Sequence, residues 1–161
     1  MGHSKVIIWL ATLALLAPAC ASIQKSLRQP GEKLKTFPEL VWEEYDCESQ
    51  KRPFFVIEDN ELVPRRIKPG KAFNHRLVYA MCPKKPTEVV QGRLQTRIRY
   101  RGNPIVRENT EAYEIKPGRW IVDAEIVLPE AAEPGVYAYE LAFKSRSIRF
   151  EKSLTFVVNP R

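Results

Sequence analysis

The sequence predicts an all-β protein, a sandwich of two β-sheets with about seven or eight strands. It contains 13 prolines in 161 residues, and proline interrupts the interior of helices. Short apolar segments recur along the chain with prolines and glycines between them, which is the pattern of a sandwich or barrel. Beyond the N-terminal segment, no long window has the periodicity of a helix.

The composition is that of one globular domain with a short additional segment. Apolar residues make up 44% of the chain and charged residues 28%, which are ordinary values for a folded protein. The formal net charge is +7. This charge suits anionic partners but identifies none of them.

The N-terminal segment has the features of an export signal. Lys5 provides a positive charge, the uncharged segment Val6–Ala17 follows, and small residues come next. A helix of this length spans about 18 Å, which is shorter than the roughly 30 Å hydrocarbon core of a membrane. We therefore expect residues 1–19 to be a signal peptide and not a permanent anchor.

Residues 16–20, Leu-Ala-Pro-Ala-Cys, resemble the signal of bacterial lipoproteins. The resemblance implies that Cys20 is lipidated and anchors the chain in a membrane. Because Ala21 is not an aspartate, it implies the outer membrane, with the domain facing the periplasm or the cell surface. Ordinary cleavage, for example before Ser22, is the alternative and would release a soluble exported protein.

The segment that follows is polar. It contains Gln29-Pro30-Gly31 and several lysines and arginines, and such a composition is typical of a flexible linker. We therefore expect a lipidated tether over residues 20–38 and the sandwich over residues 39–161.

The cysteines predict one disulfide. If Cys20 is lipidated or removed, Cys47 and Cys82 remain as an even pair in an oxidising compartment, where thiols are rarely left free. Two free thiols are the alternative. The sequence has no Cys/His spacing typical of zinc sites, so no metal is expected.

Eight segments are candidate strands, and several alternate between apolar and polar residues. The candidates are Val41–Asp46, Phe54–Glu58, Phe73–Met81, Gly92–Arg101, Tyr113–Ile115, Trp120–Leu128, Val136–Lys144 and Ile148–Val158. In Phe73–Met81 and Val136–Lys144, every second residue belongs to one mainly apolar face, which we expect in the core.

A five-residue sequence occurs twice. Residues 67–71, Ile-Lys-Pro-Gly-Lys, return as residues 115–119, Ile-Lys-Pro-Gly-Arg. Each Pro-Gly pair suits the centre of a type II turn, and each is followed by a strand, a proline-containing connection and another strand. The repeat predicts two tandem units with one strand in each sheet. Chance reuse of a common turn is the alternative.

Residues 133–137, Glu-Pro-Gly-Val-Tyr, resemble the tyrosine corner of immunoglobulin-like domains. The resemblance extends from Ile67 to Val158 and implies an immunoglobulin-like sandwich. It makes Trp120–Leu128 strand E, Val136–Lys144 strand F and Ile148–Val158 strand G. The antibody disulfide is not implied, because Tyr139 occupies the position of its second cysteine.

We find no catalytic constellation in the sequence, so we expect a protein that is not an enzyme and has no cofactor. His75 lies on an apolar face, which is typical of a buried, hydrogen-bonded histidine, and no nucleophile motif accompanies it. Acidic residues cluster at positions 43–48 and 58–61, and we interpret them as solvated surface. No phosphate-binding glycine loop is present.

A row of arginines is the best indication of a binding surface. It consists of Arg93, Arg97, Arg99 and Arg101. On one face of a strand, alternate residues lie about 6.7 Å apart, so such a row could hold phosphates or carboxylates. Alternatively, Glu140 and Glu151 of neighbouring strands pair with the arginines across the sheet.

We expect a cell-envelope scaffold or adaptor that binds another protein through a sheet face or an edge strand. The alternative function is a binding module for an anionic glycan or lipid that uses the arginine row. Nucleic acid is not expected as a partner, because export separates the protein from the chromosome and no nucleic-acid motif is present.

Overall fold

Two β-sheets packed face to face form the protein, and the predicted all-β sandwich is confirmed. The structure is a computed structural model that describes residues 28–85 and 87–161. In these residues the elements are β1 (Arg28–Thr36), α1 (Pro38–Glu44), β2 (Phe54–Val63), β3 (Arg66–Ile67), β4 (Ala72–Cys82), β5 (Val90–Tyr100), β6 (Asn103–Ile115), β7 (Gly118–Val127), β8 (Gly135–Lys144) and β9 (Arg149–Val158).

The strand order is that of an immunoglobulin-like sandwich, except that the N-terminal strand β1 takes the edge beside β7 where strand D would lie. One sheet has the order β1-β7-β4-β2, and the other has the order β3-β9-β8-β5-β6. β4 and β7 correspond to strands B and E, and β5, β8 and β9 correspond to strands C, F and G. The short strand β3 pairs in parallel with β9. The predicted identities of strands E, F and G therefore agree with the topology.

The tyrosine corner is present at the start of β8. The Tyr137 hydroxyl donates a hydrogen bond of 2.7 Å to the backbone carbonyl of Glu133. Gly135 has a φ of +151°, and a Cβ atom there would lie 2.8 Å from the Tyr100 ring. Glycine is needed here because the chain passes so close to Tyr100.

The repeated Ile-Lys-Pro-Gly sequence marks two equivalent units, as predicted. Gly70 and Gly118 both have positive φ, +74° and +95°. Gly70 lies two residues before β4, and Gly118 is the first residue of β7. Both strands belong to the four-stranded sheet, and the chain later crosses to a strand of the five-stranded sheet, β5 or β8. Each unit thus contributes one strand to each layer.

The prediction of a strand over Val41–Asp46 was wrong, since this region contains the helix α1. Pro38 stands at the helix start, where its fixed φ and missing N–H are tolerated. Val41 is the buried residue of the helix and packs on Ala80 and Cys82, on the outer face of the four-stranded sheet. A helix of seven residues is too short to show helical periodicity in the sequence.

The prediction of an unpacked tether was wrong for the segment that forms β1. This strand pairs antiparallel with β7, and Gly31 lies opposite Asp123. The sequence of this strand is polar, because an edge strand is held by backbone hydrogen bonds and needs little apolar surface. Lys116 also forms an ion pair with Glu32 of this strand. Cys20 and the signal segment lie outside the described residues.

Two other strands are longer than predicted. The segment Phe54–Glu58 is the first half of β2, which continues after an irregularity between Ile57 and Asp59. The segment Tyr113–Ile115 is the end of β6, an edge strand of 13 residues. The first ten residues of β6 include charged residues and lack the alternation of apolar and polar residues that predicts a strand.

The disulfide between Cys47 and Cys82 is present, with a Cα–Cα distance of 6.1 Å. It ties the connection after α1 to the end of β4, so the helix is fastened to the four-stranded sheet. In the part of the chain that the structure describes, no helix has the length and apolar character required to cross a membrane.

Candidate anion-binding site

The outer face of the five-stranded sheet carries the predicted arginine row. Along β5, Leu94, Thr96 and Ile98 are buried in the sandwich. The intervening Arg93, Gln95, Arg97 and Arg99 project outward. The predicted orientation of the strand is therefore confirmed for these three arginines.

Arg101 does not belong to the row, which corrects the sequence analysis. β5 ends at Tyr100, and Arg101 and Gly102 form the turn to β6 with φ values of +49° and +81°. Two positive φ angles are typical of a tight hairpin turn. The Arg101 guanidinium lies 4.8 Å from the centre of the Tyr100 ring and 3.9 Å from Glu133.

The middle of the row is neutralised by glutamates of adjacent strands. Arg97 pairs across the sheet with Glu140 of β8, and their Nε and Oε2 atoms are 2.8 Å apart, although without hydrogen-bond geometry. Arg97 Nη2 also donates a 3.0 Å hydrogen bond to Glu151. Arg99 Nη1 lies 3.5 Å from Glu140. For Arg97 and Arg99, cross-strand pairing accounts for most of the charge.

A different arrangement exists at the start of β5. Arg93 lies directly opposite Lys144 of β8, and Lys144 lies directly opposite Arg149 of β9. We call these three residues the cation row. Glu111 binds Arg93 at 2.7 Å, whereas Lys144 and Arg149 have no carboxylate within ion-pair distance among the described residues. Like charges directly opposite one another in a sheet repel, so this arrangement favours a bound anion.

The cation row borders a surface depression of about 610 Å³. Its lining residues are Arg93, Gln95, Arg97, Ala142, Phe143, Lys144, Arg149, Phe150 and Glu151. Ala142 lies between Gln95 and Glu151 in the register of the three strands, and its small side chain leaves space in the sheet face. An adjoining depression of about 480 Å³ adds Arg146 beside Arg93 and Lys144.

The two depressions carry a net positive charge. Five cations line them, Arg93, Arg97, Lys144, Arg146 and Arg149, and three carboxylates oppose these cations, namely Glu111 and Glu151 of the lining and Glu140, which pairs with Arg97. The cation row spans two strand spacings, or about 10 Å. Guanidinium groups bind carboxylate, sulfate and phosphate through paired hydrogen bonds. The arrangement can therefore hold one or two anionic groups of an extended ligand.

Sequence reasoning missed Lys144, Arg146 and Arg149. They lie at and within the β8–β9 hairpin, which Ser145 closes by accepting a 2.8 Å hydrogen bond from the backbone N–H of Ile148. Lys144 and Arg149 are paired neighbours across this hairpin. The available signal was two cations, Lys144 and Arg149, close to the ends of two predicted strands that a short connection separates, but their alignment with Arg93 required the register of β5 with β8.

His75 is a buried core residue, in agreement with the expectation. Its Nε2 lies 2.8 Å from the Asn60 side-chain oxygen, and its Nδ1 lies 3.3 Å from the Tyr139 hydroxyl. Because His75 is on β4 and Tyr139 is on β8, this contact joins the two sheets where antibody domains have their disulfide.

Two of the acidic residues interpreted as solvated surface instead bind Arg119 of β7, which corrects the sequence analysis. Arg119 Nε donates to both oxygens of Glu58 at 2.8 and 2.7 Å, and Nη2 donates to Glu44 at 2.6 Å. Thr36 accepts a further hydrogen bond at 3.2 Å. We call Arg119 and these partners the Arg119 network; it links β1, α1, β2 and β7.

The Arg119 network alters the acidity of its members. Burial by itself raises the pKa of Glu58, but the hydrogen bonds from Arg119 and Tyr45 outweigh burial and hold that pKa below its usual value. The hydrogen bonds to Glu58 and Glu44 raise the pKa of Arg119 further above its usual range. Among the described residues, no group of His, Cys, Asp and Glu side chains is arranged to hold a metal ion.

Comparisons with known proteins find similarity only among solved structures. No protein-family model matches the chain, and no curated protein matches it. The Pseudomonas fluorescens alkylpurine DNA glycosylase AlkC, bound to DNA with an abasic-site analogue, is 14% identical with a TM-score of 0.47. The match covers 66% of this chain and 30% of that one.

Two carbohydrate-active enzymes give similar matches. A family 123 glycoside hydrolase from Clostridium perfringens is 10% identical, with a TM-score of 0.46 and coverage of 82% of this chain and 27% of that one. The Parabacteroides merdae β-glucuronidase is 15% identical, with a TM-score of 0.39 and coverage of 65% and 13%. This chain thus spans less than a third of the length of each of the three structures.

Proposed function

We propose that this protein is an exported, non-catalytic binding module of the cell envelope that recognises an acidic glycan. The observation that carries the proposal is the cation row, in which Arg93, Lys144 and Arg149 lie side by side on three strands. Among the residues that the structure describes, Glu111 is their one close carboxylate. A carboxylate or sulfate group of the glycan would relieve the repulsion between these cations.

Export and anchoring form part of this proposal. The export signal, the lipoprotein-like Cys20 and the disulfide between Cys47 and Cys82 all suit an oxidising compartment outside the cytoplasm. The anchor would be the lipid on Cys20, with the sandwich held at the outer membrane.

The first experiment is calorimetric titration of the purified protein with an oligogalacturonate, which carries carboxylates, and with neutral dextran. We expect binding of the acidic oligosaccharide alone, with an affinity that falls as the salt concentration rises. Lys144→Gln and Arg149→Gln should each weaken binding about tenfold, the effect of losing one charge-assisted hydrogen bond.

Lys152→Gln is the matched control. Lys152 is also an exposed cation of β9, but it lies an odd number of residues from Arg149 and so belongs to the other face of the strand. Its substitution should leave the affinity unchanged. Equal losses in all three variants would show a general charge effect and would refute a site at the cation row.

Glycerol phosphate separates a glycan from a lipid headgroup as the natural ligand. If glycerol phosphate binds at the cation row and the oligogalacturonate does not, then the site belongs to an anionic lipid. That outcome would retain the anion site and reject the glycan.

A scaffold that binds another protein is the second candidate function, and the edge strand β6 favours it. β6 has 13 residues, and β5 is its one partner among the described residues. A partner strand could add to this edge through backbone hydrogen bonds. Pro104, Arg107 and the positive φ of Ala112 are, however, features that protect an edge from pairing.

Salt dependence distinguishes the two functions. Capture of a protein through β6 should be nearly insensitive to salt and to Lys144→Gln, and it should be abolished by proline at Asn109 in the middle of the strand. Binding at the cation row should weaken with salt and with Lys144→Gln, and it should be unaffected by proline at Asn109.

A further inference from the structure

One end of the sandwich is rich in exposed cations. The strand register places the start of β1 at this end, because Arg28 lies opposite Ile126 and Ala72 lies opposite Val127. The connection between β2 and β4 lies at the same end. It carries four exposed cations, Arg65, Arg66, Lys68 and Lys71. We call these four residues the basic end.

Exposed apolar side chains accompany the basic end. Val63 at the end of β2, Val127 at the end of β7 and Val136 at the start of β8 are exposed by 52%, 46% and 64%. In the four-stranded sheet, Val127 pairs with Ala72. In the five-stranded sheet, Val158 pairs with both Gly135 and Ile67. These pairings bring the strand ends together. Cations combined with exposed apolar residues are typical of surfaces that lie on anionic membranes.

Few carboxylates oppose this charge. The neighbouring β7–β8 connection contributes Glu130 and Glu133, and Glu133 lies 3.9 Å from Arg101. Arg101 and Arg161, which donates to the Glu130 carbonyl, raise the number of cations to six, and Glu125 near the end of β7 raises the number of glutamates to three. These side chains therefore have a net charge of +3. An anionic surface therefore complements this end of the molecule.

The position of the basic end agrees with the point at which the chain enters the domain. The first described strand, β1, begins at this end with Arg28. Cys20 precedes Arg28 by eight residues, which span at most about 29 Å when fully extended. An anchor at Cys20 would keep this end close to the membrane.

We propose that the basic end docks on anionic lipid headgroups and orients the sandwich with the cation row directed away from the membrane. β5 ends at Tyr100, which pairs with Tyr137 near the start of β8 and so lies at the basic end. Arg93 lies seven positions earlier in β5, so the cation row is about 23 Å along the sheet from the basic end. The inference rests on the proposed export and anchoring, but not on glycan recognition.

The test is hydrogen exchange of the full chain, as processed by the cell, with phosphatidylcholine vesicles that contain or lack phosphatidylglycerol. We expect slower exchange in residues 63–72 with the anionic vesicles only. One cation near an anionic surface changes the partition about fivefold, so Lys68→Glu combined with Lys71→Glu should reduce the protected fraction at least tenfold.

The matched control is Lys84→Glu combined with Lys85→Glu, which makes the same charge change at the opposite end of the sandwich. This control should retain the protection. Equal exchange in both vesicle types, or equal loss of protection in both double variants, would overturn the proposal and leave an acidic protein as the partner of this end.

The outcome is separable from that of the proposed function. The Lys68→Glu, Lys71→Glu variant should bind the oligogalacturonate normally, which also shows that it is folded. If it is unfolded, Arg65→Gln combined with Arg66→Gln replaces it in the same assay. Loss of vesicle protection on Lys144→Gln instead would identify the cation row as the lipid site and refute docking by the basic end.

Discussion

Basic side chains occur on the outer faces of both sheets, but the Arg119 network and the cation row are built in opposite ways. Arg119 is one cation held by two carboxylates, Glu58 and Glu44, and its side chain is 13% exposed. The cation row is three cations whose single close carboxylate in the described part of the chain is Glu111, and Arg93 is 64% exposed. In the Arg119 network the carboxylates outnumber the cation, whereas in the cation row the cations outnumber the carboxylate.

The difference shows what distinguishes a structural cation from a candidate ligand-binding one. Residue type is uninformative, because arginine serves in both regions. What differs is the number of carboxylates that the neighbouring elements bring within reach. α1 and β2 supply them to Arg119, whereas β8 supplies Lys144 to Arg93. Substitutions in the two regions should therefore have opposite effects on stability.

The largest effect is expected from the disulfide that fastens α1 over the four-stranded sheet. Replacing Cys47 and Cys82 by serine opens a loop with a sequence separation of 35, and the chain-entropy relation gives a loss of about 4 kcal/mol. Urea unfolding of the double variant measures this loss. A change below about 1 kcal/mol would mean that chain entropy is not the main contribution of the bridge.

Arg119→Gln should lower the free energy of unfolding by about 2 kcal/mol, because Glu58 and Glu44 lose their charged donor. Arg119→Lys keeps the charge but not the planar fork, so its loss should be about half as large. Equal losses in the two variants would show that the geometry of the guanidinium is unimportant. Thermal unfolding followed by circular dichroism gives both values.

Glu140→Gln tests the neutralised middle of the arginine row. Glu140 is 13% exposed and contacts both Arg97 and Arg99, so we expect a destabilisation of about 1–2 kcal/mol. Glu151→Gln is the control, since Glu151 is 66% exposed and should contribute less than about 0.5 kcal/mol. Denaturant unfolding measures the loss in the free energy of unfolding for each variant, and equal losses would contradict this difference.

In the cation row, neutralisation should stabilise the fold. Lys144→Gln removes two repulsive cross-strand pairs and Arg149→Gln removes one. We expect a gain of about 0.3 kcal/mol per pair at low salt, which disappears at high salt. A loss of stability at low salt would contradict the view that the cations of this row repel one another.

The pH dependence of stability should also come from the Arg119 side of the molecule. The pKa of Glu58 is lowered from its ordinary value of 4.5. The pKa of Asp123 is lowered from its ordinary value of 3.8, mainly because Arg76 donates a hydrogen bond to it. Lowered pKa values stabilise the fold fully above the ordinary values, and this contribution is lost as the pH falls through the folded ones. Unfolding between pH 6 and pH 2, repeated with Glu58→Gln, should give a flatter acid limb in the variant.

The sequence by itself determined the layered β architecture. Alternation along Phe73–Met81 and Val136–Lys144, the two Pro-Gly turns and the tyrosine corner are local features, since each depends on residues close together in the chain. They sufficed for the sandwich, for strands E to G and for the tandem units. The pair Cys47 and Cys82 followed from cysteine parity.

Only the tertiary structure decided which charges are neutralised. The cation row joins Arg93 to residues more than fifty positions away, and the Arg119 network joins Thr36, Glu44 and Glu58 to a residue of β7. β1 and α1 were misassigned for the same reason, because a polar edge strand and a seven-residue helix are held by distant partners. Register between strands is a long-range property, and a one-residue change would reverse every face that it defines.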